Sequence, residues 1–209
     1  MAKATVIKTV PFGLIIMQSQ ISNLAYITKR VDRIDDKKLA MEDFCQLDGR
    51  LTEDKYRGSY ERCAKIINKY SSNPGIDLAE MFVRIVFSFV VGNSDMHLKN
   101  FSLIESAHNP NEYSLFPAYD ILSTNVIIPS DTEQFALTLN GKKSNIRKRD
   151  FIIFSSSLGI SEKSAEIMIS GIVKLKDKYI DMCINSYIPD DMKEQLINLI
   201  NNRIDSLIV

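Results

Sequence analysis

The residues of this chain best able to do chemistry are Asp95, His97, Asn100 and Asp120. They lie in Gly92-Asn93-Ser94-Asp95-Met96-His97-Leu98-Lys99-Asn100 and at the end of Phe116-Pro117-Ala118-Tyr119-Asp120. Moving a phosphoryl group onto a hydroxyl needs a carboxylate to orient and deprotonate the acceptor. It also needs oxygen ligands for Mg²⁺ and positive charge near the group in flight. Asp95 can be that carboxylate. Asn100, five residues on, can offer an amide oxygen to a metal, and Asp120 can bridge Mg²⁺ to phosphates. These are oxygen donors, as a hard cation requires.

Each residue also has a plainer reading. An Asp before a strand is usually a turn or cap residue, Asn100 could serve a turn, and His97 could be a hydrogen-bonded core histidine. Asp120 could simply begin a loop. The string Asp-x-His-x-x-Asn is weak alone. The weight lies in the combination, because base, amide and second carboxylate fall at the interval used by protein kinase catalytic loops.

The elements that must position them follow from the pattern. Leu24–Val31 has the β-branched and aromatic content of a strand. A charged turn over 32–38 leads to a helix around Leu39–Leu47. Ser59–Tyr70 reads as an amphipathic helix ended by Ser71-Ser72-Asn73-Pro74-Gly75. Asp77 is placed to cap the next helix, Leu78–Val91, which is apolar on nearly every face and so belongs inside. Phe101–Ile104 and Tyr113–Phe116 flank a turn-rich segment and predict a hairpin. Gln134–Leu139 reads as a further strand. Helices are expected over Lys148–Ser157, over Glu162–Ser186 behind a Ser161 cap, and over Asp190–Leu207 just after Pro189. Loops on such a scaffold are where chemistry concentrates.

Composition narrows the classes. The chain has 209 residues, with 26 Lys+Arg balanced by 26 Asp+Glu. It therefore has no global attraction for nucleic acid or anionic lipid, and no direct nucleic-acid or membrane partner is expected. The apolar run Ile85–Val91 is too short to span a bilayer. The short patch Phe12–Met17 lacks the cleavage site of a secretory signal. Cys45, Cys63 and Cys183 have no paired spacing, which argues against disulfides or zinc and for buried small hydrophobes. A cytoplasmic location is the simplest expectation.

Gly92–Ser102 together with Phe116–Thr124 resembles the signature of the HipA family of bacterial toxin kinases. Tyr26-Ile27-Thr28-Lys29-Arg30-Val31-Asp32-Arg33 resembles the family's hinge strand. Met41–Leu47, Lys55-Tyr56-Arg57-Gly58-Ser59-Tyr60-Glu61 and Leu137-Thr138-Leu139-Asn140-Gly141-Lys142 resemble further family blocks. The likeness spans nearly all of residues 10–200 and is nearest to short HipT-type toxins. It implies an α+β, protein-kinase-like fold: residues 1–33 as part of an N-terminal lobe ending in the hinge, and 34–209 as a mostly helical C-terminal lobe.

Position by position, the resemblance implies Asp95 as catalytic base and Asn100 and Asp120 as Mg²⁺ ligands. His97 lies where many serine/threonine kinases place a lysine for the γ-phosphate. Backbone contacts to the adenine of ATP would fall at Lys29 and Val31, with Asp32 near the ribose. The family more often has an acidic residue at the position of Lys29 and an aromatic one at that of Val31. It further implies a protein substrate such as an aminoacyl-tRNA synthetase and a restraining antitoxin. No Gly-rich loop can be assigned before Leu24, and Lys3 and Lys8 fall in the wrong element to replace the family's ATP lysine. The expectation is a chain inactive alone, with a free edge on the Leu24–Val31 strand that invites a homodimer or another partner. Two other classes stay open: a non-catalytic kinase remnant, and a metal-dependent phosphohydrolase using Asp95, His97 and Asp120.

Overall fold

The computed structural model describes residues 1–17 and 24–208. Its core is built on one helix. Pro74–Val91 (α3) begins with proline at its first position, where the missing N–H costs nothing, and ends at Gly92 in the left-handed conformation (φ 69°). Leu78, Met81, Phe82, Ile85, Val86, Phe87, Phe89 and Val90 are all buried, so the helix is wrapped on every side. Arg84 is buried with them and remains charged beside Glu80 one turn earlier.

The wrapping comes from Tyr60–Tyr70 (α2), Glu162–Val173 (α6) and Asp190–Ile208 (α8), all packed on α3. Ser59 caps α2 by accepting the N–H of Arg62, and Ser161 caps α6 through Ser164. Lys148–Ser157 (α5) and Lys176–Ile184 (α7) complete the shell. Thr124–Ile127 (α4) is a single turn lying against α8. The three cysteines are free and buried. Among the described residues no helix is long and apolar enough to cross a membrane.

Among the described residues three small sheets complete an α+β fold. Met41–Asp43 (β5), Ser102–Glu105 (β6) and Tyr113–Leu115 (β7) form an antiparallel sheet in that order, with Leu103 opposite both Glu42 and Leu115. Phe12–Ile16 (β1) and Leu24–Thr28 (β2) pair antiparallel, Leu14 opposite Tyr26. Arg33–Ile34 (β3) and Lys37–Lys38 (β4) make a minimal hairpin just beyond. The first residues are not a loose arm. Ile7 joins the main core, and Thr5 Oγ1 lies 2.6 Å from the hydroxyl of Tyr179 on α7.

Several expectations change. The helix foreseen over 39–47 is strand β5 followed by a single turn, Phe44–Leu47 (α1), closed by an Asp43–Gln46 capping box. Pairing with β6, distant in sequence, overrides local propensity there. Asp77 is not the cap of α3, which starts three residues earlier at Pro74. Residues 134–139 form bends and two isolated β-bridges, Thr138 to Ser59 and Leu139 to Lys142, rather than a regular strand. The long helix over 162–186 is two helices, broken where Leu175 N–H reaches back only to Ile172 (3.0 Å). One edge of the Leu24–Val31 strand is not free: β1 pairs along it.

Candidate active site

The catalytic-loop segment leaves α3 through Gly92, whose carbonyl accepts the N–H of Asn125 at 3.1 Å. Ser94 is fixed twice: its N–H and its hydroxyl lie 2.8 and 2.7 Å from Thr124 Oγ1. The Ser94 hydroxyl also donates to Asp131 (2.7 Å). Met96, Leu98 and Phe101 are buried and anchor the segment in the core. The chemistry-bearing side chains are thus held on a rigid loop.

Asp95 is half-buried, and Oδ1 accepts the Tyr56 hydroxyl at 2.9 Å. Its main-chain carbonyl accepts the His97 N–H (2.8 Å) and Nδ2 of Asn100 (2.7 Å). A carbonyl can only accept, so the nitrogen of the Asn100 amide must face it. Oδ1 of Asn100 is then the atom available to a cation. Asp120 follows Tyr119, and the Tyr119 hydroxyl donates to the carbonyl of Lys99 at 2.6 Å while lying 2.7 Å from Ser102 Oγ. One bond therefore ties the residue before Asn100 to the residue before Asp120. Asp120 itself is exposed and left-handed (φ 54°).

His97 is buried, and burial lowers its pKa below the ordinary histidine value, against the pull of Asp95 and then with the push of Lys55. Asp120 pulls weakly in the same direction as Asp95. At neutral pH the ring is neutral: a hydrogen-bonding group rather than a cation. Its Nδ1 is buried with no partner among the described residues.

The hinge candidates lie at the far end of β2. Lys29 donates its N–H to Pro11 (2.9 Å). Val31 packs on a small apolar cluster of Val10, Ile104 and Phe116, to which Tyr119 also belongs. That cluster joins the hinge to the strand leading to Asp120. Asp32 is committed locally, with bonds of 2.8 and 2.6 Å from Arg30 and 3.0 Å from Arg33. Arg30, helped by its charge and that of Arg33, holds the Asp32 carboxyl below the usual carboxylate range. Lys3 stands over the ring of Phe12 (4.5 Å), and Lys8 lends its carbonyl to Ala118.

Among the described residues no group of three or more His, Cys, Asp or Glu side chains converges as a metal cage. An amide oxygen and one exposed carboxylate are donors that suit Mg²⁺, which keeps waters and shares phosphate oxygens instead of filling an all-protein site. One contact was missed in the chemical reading of the sequence: Tyr56 on Asp95, with Lys55 beside it. Its only signal was membership in the Lys55–Glu61 block.

Fold and site together define a protein-kinase-like α+β domain. The family model of the HipA-like C-terminal domain matches residues 1–179, and the chain belongs to that family. Y4dM of Sinorhizobium fredii, a kinase by name, is 35% identical over 141 residues, covering 66% of this chain and 34% of the relative. A Haemophilus influenzae protein, also a kinase by name, is 27% identical over 191 residues, covering 79% of this chain and 54% of its own. The chain thus spans between about a third and about half of these relatives. Two solved structures share the fold over 99% of this chain. HipA of Shewanella oneidensis, in a complex with HipB and operator DNA, has a TM-score of 0.78 at 17% identity, with 55% of it covered. The Helicobacter pylori proinflammatory kinase CtkA has a TM-score of 0.68 at 16% identity, with 80% of it covered.

Proposed function

We propose that this chain carries the catalytic loop and metal hairpin of a serine/threonine protein kinase that acts as the toxin of a toxin–antitoxin pair. The observation that carries this reading is the brace between Asn100 and Asp95, seconded by the Tyr119–Lys99 bond. Together they tie Asp95, Asn100 and the residue before Asp120 to one loop, which supports reading these three as base and oxygen ligands. The acceptor is a serine or threonine hydroxyl of a protein, an aminoacyl-tRNA synthetase being the expected class, and the donor is ATP. Asp95 orients the hydroxyl and takes its proton as the oxygen attacks the γ-phosphorus, while the bond from that phosphorus to the bridging oxygen of the β-phosphate breaks and ADP leaves with the electron pair. Asn100 Oδ1 and the Asp120 carboxylate would hold Mg²⁺, which would neutralise charge on the phosphate oxygens. Val31 and Lys29 offer main-chain groups to the adenine, with Asp32 beside the ribose. His97, neutral, hydrogen-bonds near the γ-phosphate, and Lys55 supplies the positive charge that a neutral imidazole lacks.

HipA of Shewanella oneidensis was solved with HipB, and a small antitoxin protein is the partner proposed here by analogy. A balanced net charge leaves DNA contact to such a partner, and a cytoplasmic site of action fits these roles. Asp95→Asn tests the reading in the protein with its natural flanking sequence. The amide keeps the shape but cannot take the proton, so transfer of label from γ-labelled ATP to a cell extract should fall ~10²–10⁴-fold. Nucleotide binding should be unchanged. Near-normal transfer by the variant would remove Asp95 from the role of base.

A further inference from the structure

We propose that Tyr56 is a positioning residue for the catalytic carboxylate: its hydroxyl pins one oxygen of Asp95 and leaves the other for the incoming acceptor. The proposal rests on the kinase reading above for the identity of the reaction, but the contact itself does not depend on it.

The geometry begins with the backbone on either side of the tyrosine. The carbonyl of Lys55 accepts the N–H of Leu98 at 3.2 Å. The hydroxyl of Tyr60, which is fully buried, donates to the carbonyl of Met96 at 3.1 Å. Between them, the Gly58 carbonyl accepts the N–H of Thr138 (3.3 Å), and the Tyr60 N–H donates to the Thr138 carbonyl (3.0 Å). Residues 55–60 are therefore stapled to the catalytic loop on one side and to the 138 turn on the other. The frame that carries Tyr56 moves with the frame that carries Asp95.

The side chain is restrained as well. Its ring meets His97 edge-on at 5.0 Å, and the ammonium of Lys55 stands 4.9 Å from its centroid. A tyrosine has only two side-chain torsions to fix, so ordering it costs little compared with a longer polar side chain. Burial first, and the hydrogen bond to Asp95 second, push its phenol up to about 12, so it remains a donor throughout the working range.

The consequence is rotational. A carboxylate tethered only by its own torsion presents either oxygen at many angles, and catalysis needs it held within about 10–20° of the productive geometry. The bond at Oδ1 removes that freedom. No described residue has a hydrogen bond to Oδ2, and it is the oxygen left to receive the acceptor hydroxyl. The opposite arrangement is physically conceivable: the tyrosine hydroxyl stands at hydrogen-bond distance from the base, as an acceptor must, and could compete with it. The neighbouring staples favour positioning, because they hold Tyr56 in place.

Tyr56→Phe separates these cases, since it keeps the ring, its contact with His97 and its place over Lys55. In the protein with its natural flanking sequence, maximal transfer from γ-labelled ATP to a cell extract should fall about tenfold. The KM for ATP should stay within twofold. In an Asp95→Asn background the same change should cost nothing further, because the tyrosine acts through the carboxylate. Unchanged or faster transfer by Tyr56→Phe would overturn the proposal, as would a full additional loss in the double variant. If the wild-type protein transfers no label, the kinase reading fails, and a second readout still judges the pair. In ¹³Cζ-tyrosine spectra the resonance that Tyr56→Phe deletes should shift in Asp95→Ala, and a resonance that does not move would show that the two side chains are not bonded.

Discussion

Asn100 donates from Nδ2 to the main-chain carbonyl of Asp95 at 2.7 Å, so the residues proposed as metal ligand and base brace each other within one loop. Asn100→Asp tests this relationship. The carboxylate cannot donate, and it would set a charge against the carbonyl it replaces a bond to. Transfer should be lost despite the added negative charge for Mg²⁺, and unfolding in urea should show a cost of about 1 kcal/mol for the lost hydrogen bond, since the carbonyl keeps the His97 N–H. Asn100→Asp with normal stability and activity would mean that the brace is incidental.

Mg²⁺ should bind only together with nucleotide, because Asn100 and Asp120 give two oxygen ligands and the remainder must come from water and phosphate. Calorimetric titration with Mg²⁺ alone should show no saturable heat in the micromolar range. Tight binding without nucleotide would point instead to a metal-dependent phosphohydrolase.

Much of the site was legible because its residues are close in sequence. Asp95, His97 and Asn100 share one loop, and the hairpin that delivers Asp120 is announced by its turn residues. The all-apolar pattern of α3 likewise declares a buried helix. What stayed hidden depends on distant pairing. Met41–Asp43 looks helical until β6 is beside it. Tyr56 touches Asp95 across 39 positions. The orienting bond of Tyr119 to Lys99 spans 20 more, and nothing in periodicity reports it. The break at Lys174–Leu175 has no glycine or proline to mark it, and the two helices it separates both pack on α8.

Asp77 joins the core helix to the metal hairpin, and its stability effect should depend on pH. Its Oδ2 accepts the Ser71 hydroxyl at 2.6 Å and the Leu115 N–H at 2.8 Å. Burial raises its pKa above the ordinary aspartate value despite those bonds. The folded state therefore holds this proton more tightly than the unfolded chain does. Stability is greatest below the unfolded pKa and declines as pH rises through the folded one. Asp77→Asn keeps an acceptor for both donors and removes the buried charge. Its stability relative to wild type should improve as pH is raised from about 3 to neutrality. Asp77→Ala should be less stable than wild type by about 1–3 kcal/mol near pH 3, because it orphans the Leu115 N–H, and that deficit should narrow as pH rises. Urea melts of the three proteins between pH 3 and 7 check the sign, and a wild-type advantage that grows with pH would refute it.

Gly92 ends α3 and starts the catalytic loop, and two separate penalties should meet any side chain placed there. Its φ of 69° lies in the left-handed region, which costs an alanine about 1–2 kcal/mol. A Cβ at this position would also lie 2.9 and 3.0 Å from the two Leu199 methyls and 3.2 Å from Ser123 Oγ. Leucine methyls can shift, so this second penalty belongs at the lower end of overpacking, ~1 kcal/mol. Gly92→Ala should thus destabilise by about 2–3 kcal/mol in total. Truncating Leu199 to Ala in that background removes the clash but leaves the backbone cost. A double-mutant cycle from denaturant melts should therefore show a favourable coupling near 1 kcal/mol. Strict additivity would mean that α8 yields freely and only the backbone matters. Because Gly92 also sets the direction in which the chain leaves α3 toward Asp95, both variants that carry Gly92→Ala should remain impaired in transfer even where Leu199→Ala relieves the clash.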